Sequence, residues 1–264
     1  MKRVTMFSKW VILVTCAVIS ACNSFYVDSL TKCASKDEQC MKETISKVLQ
    51  LTSESGAEEI NVPPLDPLYL KDLNVPIMGL LNMTLENGQL KGIKDCVVNS
   101  IHNDFAKGET KLEVTCDLAL KGKFKVSETS PLLQNLLGSN PITIDGNVKL
   151  QLDKLHMTMQ FFYHFIKKED GNVYFQCHLD EFRYEYDLGN AKLSAHKILL
   201  GGQDASELVV GLFNQNWKFI LQTFGKGIFD VSMPIFNDIL HRFLDTVPAK
   251  SYYSDDFTPY VKNV

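Results

Sequence analysis

The chain has 264 residues, 45% of them apolar, with 27 Lys and Arg against 31 Asp and Glu and a formal net charge of −4. That mildly acidic balance excludes a nucleic-acid partner held by charge. A chain of this size buries a large core unaided, so its cysteines are not needed to rescue a small fold.

In chain order, Lys2, Arg3 and Lys9 precede the apolar run WVILVTCAVISAC, and the small residues Ser20 and Cys22 stand at the −3 and −1 positions of a cut after residue 22. This is the pattern of a secretory signal peptide over 1–22. The run is about 13 residues, short of the roughly 20 that span a bilayer, so no stable membrane anchor is expected. ISAC at 19–22 also fits the loose pattern of a lipidated bacterial cysteine, a short match that weighs less than the leader as a whole. Removing the leader leaves 24 Lys and Arg against 31 Asp and Glu, a formal charge of −7 over residues 23–264.

Five cysteines follow: Cys33, Cys40, Cys96, Cys116 and Cys177. In a secreted chain an odd number implies pairs and a leftover thiol. Cys33 and Cys40 bracket six small, polar or charged residues and are expected to close an eight-residue loop, with a stabilisation of roughly 2.5 kcal/mol on the chain-entropy model. A helix is expected from Glu38 to about Glu54, where Met41, Ile45, Val48 and Leu49 recur at helical spacing. Gly56 and four prolines between 63 and 76 then force extended chain.

From there to about residue 200 the apolar period is two. In KLEVTCDLALKGKFKV, residues 111–126, Leu112, Val114, Cys116, Leu118, Leu120, Phe124 and Val126 alternate with polar residues, as in an antiparallel sheet covered on one face. A preceding strand, about Leu90 to His102, joins it through a hairpin centred on Ala106. That hairpin sets Cys96 opposite Cys116, a possible cross-strand disulfide. A second hairpin turns at EDGN, 169–172. Before it the odd positions Leu155, Met157, Met159, Phe161, Tyr163 and Phe165 are apolar. After it Val173, Phe175, Cys177 and Leu179 give way to Phe182, Tyr184, Tyr186 and Leu188. A one-residue bulge between Leu179 and Phe182 would reconcile the two parities. Cys177 then faces inward as a buried, unpaired thiol.

Apolar residues from Leu208 to Phe243, among them Trp217, Leu221 and Phe224, keep a helical period over some 38 residues, interrupted by Gly225, Gly227 and Pro234. Such a helix is about 57 Å long, and a 16-residue strand about 54 Å, whereas a sphere of this chain would measure about 45 Å. The fold class expected is α+β: a long, highly curved antiparallel sheet wrapped around a long C-terminal helix, with a short N-terminal helix. Where sheet and helix part, Val114, Leu118, Leu120, Met157, Met159, Phe161, Tyr163, Phe165, Phe175, Trp217, Leu221 and Phe224 would line a dry cavity for an apolar chain. Simple filling of the core by the same residues remains open.

Chemistry is otherwise sparse. The six histidines form no HExxH or comparable metal spacing, although His164 and His178 approach across the hairpin at Gly171, and there is no GxSxG elbow or phosphate loop. No catalytic residue, metal or cofactor is expected. Asn82 begins a glycosylation sequon, NMT, and SYYSDDFTPY near the C-terminus is a packed or a loose tail.

INVPPLDPLYLKDL at 60–73, LKGIKDC at 90–96, LALKGKF at 118–124 and FNQNWKFI at 213–220, together with the spacing of Cys33 and Cys40, resemble the insect haemolymph juvenile hormone binding protein and Takeout family. The blocks run through the whole chain after the leader. The resemblance implies one domain over 23–264 of the tubular lipid-binding type, secreted into haemolymph or another fluid. It would be a monomeric, non-enzymatic carrier of a juvenile-hormone-like terpenoid or a fatty-acyl lipid in an internal tunnel. It also places the Cys33–Cys40 clip and its helix at the tunnel mouth. The Cys96–Cys116 pair is not part of the family's pattern, and a central proline common in the family is missing from CDLAL. The alternative function is a lipid-sensing or lipid-presenting module at a receptor or membrane. A hydrolase reading lacks any nucleophile and base pair.

Overall fold

The computed structural model describes residue 27 and residues 29–77, 81–131, 135, 142–144, 147–200 and 202–261. The expected leader over 1–22 lies outside the described residues.

The first helix, α1 (Glu38–Ser55), begins where the Asp37 carboxylate accepts the Cys40 backbone N–H at 3.0 Å and ends at Gly56. Met41 on its inner stripe is buried and Ile45, Val48 and Leu49 are half-buried, as the helical spacing predicts. The chain then runs through β1 (Leu68–Ile77), β2 (Leu81–Lys91), β3 (Val97–Asp104), β4 (Glu109–Thr129), β5 (Ile142–Ile144), β6 (Asn147–Lys167), β7 (Val173–Cys177), β8 (Arg183–Ala195), β9 (Ile198–Leu200) and β10 (Gln203–Asp204). A second helix, α2 (Ser206–Thr246), and a short C-terminal segment follow.

The main sheet is antiparallel, and two 21-residue strands, β4 and β6, form its centre. On the outer side of β4, β2 pairs with its C-terminal half and β3 with its N-terminal half. β8 and β7 divide the outer side of β6 in the same way, and β1 completes the sheet beyond β2. Helix α2 packs on β1 at one edge and on β7 and β8 at the other, so the sheet curls around it as a half-barrel. α1 lies over β3, and β5, β9 and β10 form a small separate sheet.

Three local expectations are corrected. The strand expected over 90–102 is two strands, because the chain turns at Gly92 (φ 101°) into a 3-10 turn over Ile93–Asp95. A Cβ on Gly92 would lie 2.0 Å from the Asp117 carbonyl oxygen, so only glycine fits. The one-residue bulge near Leu179 is larger: β6 pairs Tyr163 with Cys177 and Gln160 with Arg183, leaving five residues, 178–182, opposite two, 161–162. The excess of three is odd, which is why the apolar parity flips.

The third concerns α2, whose one non-helical position is Asn216 (φ −121°, ψ 18°) rather than Gly225, Gly227 or Pro234. Gly225 serves close approach instead: a Cβ there would meet the Tyr186 hydroxyl at 2.7 Å.

Candidate functional site

Between the curled sheet, α2 and α1 lies a cavity of about 400 Å³. Volumes of roughly 300–1,000 Å³ are usual for sites that enclose a small molecule. Along β4 the inward positions Leu112, Val114, Cys116, Leu118 and Leu120 form its floor. Along β6 the inward set is Leu150, Leu152, Leu155, Met157, Met159, Phe161 and Tyr163, which changes parity between Leu152 and Leu155. Lys154 absorbs that change with φ 52°, its backbone N–H held by the Asp117 carboxylate at 2.7 Å. The wall of β6 thus stays apolar over thirteen steps, about 44 Å of extended chain.

α2 supplies Leu221, Phe229, Met233 and Phe236, and α1 supplies Met41, Ile45, Val48 and Leu49. Among the described residues no Asp, Glu, Lys, Arg or His lines the cavity.

Of the residues expected to line it, Val114, Leu118, Leu120, Met157, Met159, Phe161, Tyr163, Phe175 and Leu221 do so. Phe165, Trp217 and Phe224 do not. Phe165 lies one pleat beyond the end of the cavity, stacked on Phe257 with ring centroids 5.1 Å apart and planes 11° apart. Trp217 stands beside the helix break at Asn216, and the α2 wall begins one turn later at Leu221. Phe224 is half-buried on the flank of the face formed by Leu221, Gly225 and Ile228.

Sequence reasoning did not assign α1 to the wall, nor Tyr252 and Tyr253, which line the cavity from the C-terminal segment. The signal available was the density of aromatic residues in SYYSDDFTPY. That segment is packed: Tyr252, Tyr253 and Phe257 are buried, and Phe257 meets Phe105, Phe165 and Phe175 at centroid distances of 4.9, 5.1 and 5.7 Å.

Both disulfides are present. Cys33–Cys40 clips the entry to α1, and Cys96–Cys116 joins the Gly92 turn to β4, with both of its sulfur-bearing residues on the cavity wall. Cys33 also bridges to the C-terminal segment: its N–H donates to the Tyr252 carbonyl at 3.0 Å, and its own carbonyl accepts from Ser254 N–H at 2.9 Å.

Polar groups gather at the C-terminal end of the cavity. The Thr110 hydroxyl donates to Asn103 Oδ1 at 2.6 Å, and the Tyr163 hydroxyl lies 3.4 Å from Thr110 Oγ1 and 3.5 Å from the Glu109 carbonyl. Burial raises the Tyr163 phenol above its ordinary value, with Thr110 opposing, so it stays protonated.

Cys177 is buried and unpaired opposite Tyr163, and burial, with Asp245 adding to it, pushes its thiol up to about 12. A thiol of that kind is a poor nucleophile. We expect no carbamidomethylation of Cys177 by iodoacetamide at neutral pH in the folded protein and complete modification after unfolding, read by intact mass; labelling of the folded chain would contradict its burial.

His164 Nδ1 and His178 Nε2 are 2.9 Å apart, with Glu181 3.6 Å from His178 Nδ1. Among the described residues no three His, Cys, Asp or Glu side chains are placed to hold a metal ion. No helix among them is long and apolar enough to cross a membrane.

The family model for haemolymph juvenile hormone binding protein matches residues 11–254. The fold is similar to the crystal structure of Takeout 1 from Epiphyas postvittana, with a TM-score of 0.72 and 25% identity over 86% of this chain and 100% of that one. No curated protein sequence matches the chain.

Proposed function

The chain belongs to the haemolymph juvenile hormone binding protein family, and we propose that it is a secreted, monomeric carrier that holds one elongated hydrophobic molecule in the cavity between sheet and α2. The molecule is a juvenile-hormone-like terpenoid or a fatty-acyl lipid, and residues 23–264 act as a single binding domain. The observation that carries this reading is the cavity wall, elongated and lined without a charged side chain among the described residues.

Burial alone drives binding of that kind. Each buried CH₂ contributes about 0.8 kcal/mol, so a 15-carbon chain needs no ionic contact. Tyr163, whose ring lines the cavity and whose hydroxyl bonds are long, orients an oxygen of the bound molecule from the same end. Asn82 on β2 carries the glycan of the NMT sequon in the secreted form.

Titration with N-phenyl-1-naphthylamine tests the reading. It predicts saturable fluorescence enhancement at one dye per chain, reversed by a long-chain terpenoid or acyl ester; no enhancement would sink it.

The Cys33–Cys40 clip joins α1, one wall, to the C-terminal segment, another, and we assign it to the entrance of the cavity. The double substitution Cys33→Ser with Cys40→Ser should leave the protein folded, at a stability cost of roughly 2.5 kcal/mol. Stopped-flow release of the dye should be several-fold faster. Release at the native rate would make the clip purely structural.

A further inference from the structure

Most hydrogen-bonding groups in the cavity wall are committed within the protein. Thr110 donates to Asn103, Tyr186 to the Leu221 carbonyl at 3.0 Å, Ser232 to the Ile228 carbonyl at 3.0 Å, and the Asn237 amide to the Leu179 carbonyl at 3.2 Å. Tyr252 differs. Its side chain is buried, and its hydroxyl is sealed from solvent with no hydrogen-bond partner among the described residues.

A buried hydroxyl without a partner bears its full desolvation cost, and phenylalanine would fill the same space without it. The position is held firmly: the Tyr252 N–H donates to the Ala249 carbonyl, its carbonyl accepts from Cys33, and its ring packs on Phe175, Phe243 and Tyr253. Burial, reinforced by the neighbouring Tyr253, Cys177 and Tyr163, holds the phenol well above its ordinary value and therefore protonated. What the group lacks is an acceptor, and the side chain that bears it lines the cavity.

We propose that Tyr252 is a specificity-determining donor, which gives its hydrogen bond to a neutral oxygen acceptor, the carbonyl of an ester or ketone, near one end of the bound molecule. The proposal rests on the carrier reading above. The hydroxyl is out of reach of solvent in this arrangement, so the side chains around it must give way on the cavity side for the acceptor to meet it. An ionised carboxylate does not suit the seat, since the wall offers no cation among the described residues and a buried charge without a partner is strongly disfavoured. The hydrocarbon then runs along β6 past Met159 and Met157 towards Leu152 and Leu150, and the C-terminal segment decides which way round the molecule lies.

The test compares Tyr252→Phe with the native protein, using displacement of N-phenyl-1-naphthylamine by methyl tetradecanoate and by pentadecane. Loss of one neutral hydrogen bond should weaken the ester roughly three- to tenfold and leave the hydrocarbon unchanged. The melting temperature of the variant should equal or exceed that of the native protein, because the unpaired hydroxyl is gone. An equal change for both probes, or none for either, overturns the proposal while the displacement itself upholds the carrier reading. Failure of both probes to displace the dye from the native protein overturns both.

Discussion

Met159→Lys should weaken binding of N-phenyl-1-naphthylamine by roughly 100-fold, while the protein stays folded. Met159 is half-buried on β6, between Leu112 of β4 and Tyr184 of β8, and its side chain borders the cavity at the margin of the buried cluster around Val114, Leu155 and Met157. An ammonium group there meets no carboxylate among the described residues of the wall, and seating an apolar molecule against it strips its water for an effective penalty of several kcal/mol. Two such factors of 1.4 kcal/mol are already 100-fold in affinity. Met159→Leu keeps the volume and the polarity and should cost less than about 1.5 kcal/mol in stability, with binding close to native. The measurement is the dye titration on both variants, with circular dichroism as the check on folding. Native-like affinity in Met159→Lys would place the dye elsewhere.

The second large effect is on stability. Phe257→Ala should destabilise the protein by about 3–5 kcal/mol, the usual cost of removing a buried phenylalanine. For a chain of this size that corresponds to a fall of roughly 6–20 °C in melting temperature. Phe257 is 3% exposed and is stacked on Phe165 at the centre of a cluster that includes Phe105, Phe175 and Tyr253. The cluster closes the end of the cavity, so release of bound dye should also quicken. A melting temperature within 1–2 °C of native, the ordinary range for a surface substitution, would show the C-terminal segment to be a loose tail.

Much of this architecture is visible in periodicity. The alternation from Leu112 to Leu120 and from Leu155 to Tyr163 marks the face that lines the cavity, because in a strand side-chain direction is fixed by parity alone. The helical recurrence from Leu208 to Phe243 likewise marks α2. The length of these elements, too great for a sphere, already implies a wrapped and elongated arrangement.

What parity does not supply is where a strand is interrupted. The turn at Gly92, the shift at Lys154 and the five-residue bulge at 178–182 each depend on a partner strand, through the Asp117 carbonyl, the Asp117 carboxylate and the β6 register respectively. Helix breaks were misplaced for a related reason. Gly225 and Pro234 look like breakers from composition, yet Gly225 exists to let Tyr186 approach, and the irregular residue is Asn216. Two walls of the site were missed because neither contributes periodicity that points at the cavity: α1 presents only a narrow stripe, and Tyr252 and Tyr253 sit in a short irregular segment held by Cys33 and by aromatic packing.

The central claim is that one apolar molecule occupies the cavity of each chain. Protein purified without detergent from its native source should, on organic extraction and mass spectrometry, yield close to one equivalent of a single class of oxygenated terpenoid or acyl lipid. Protein that yields no lipid above background, and whose extracted form takes up neither methyl tetradecanoate nor a terpenoid ester, would contradict it.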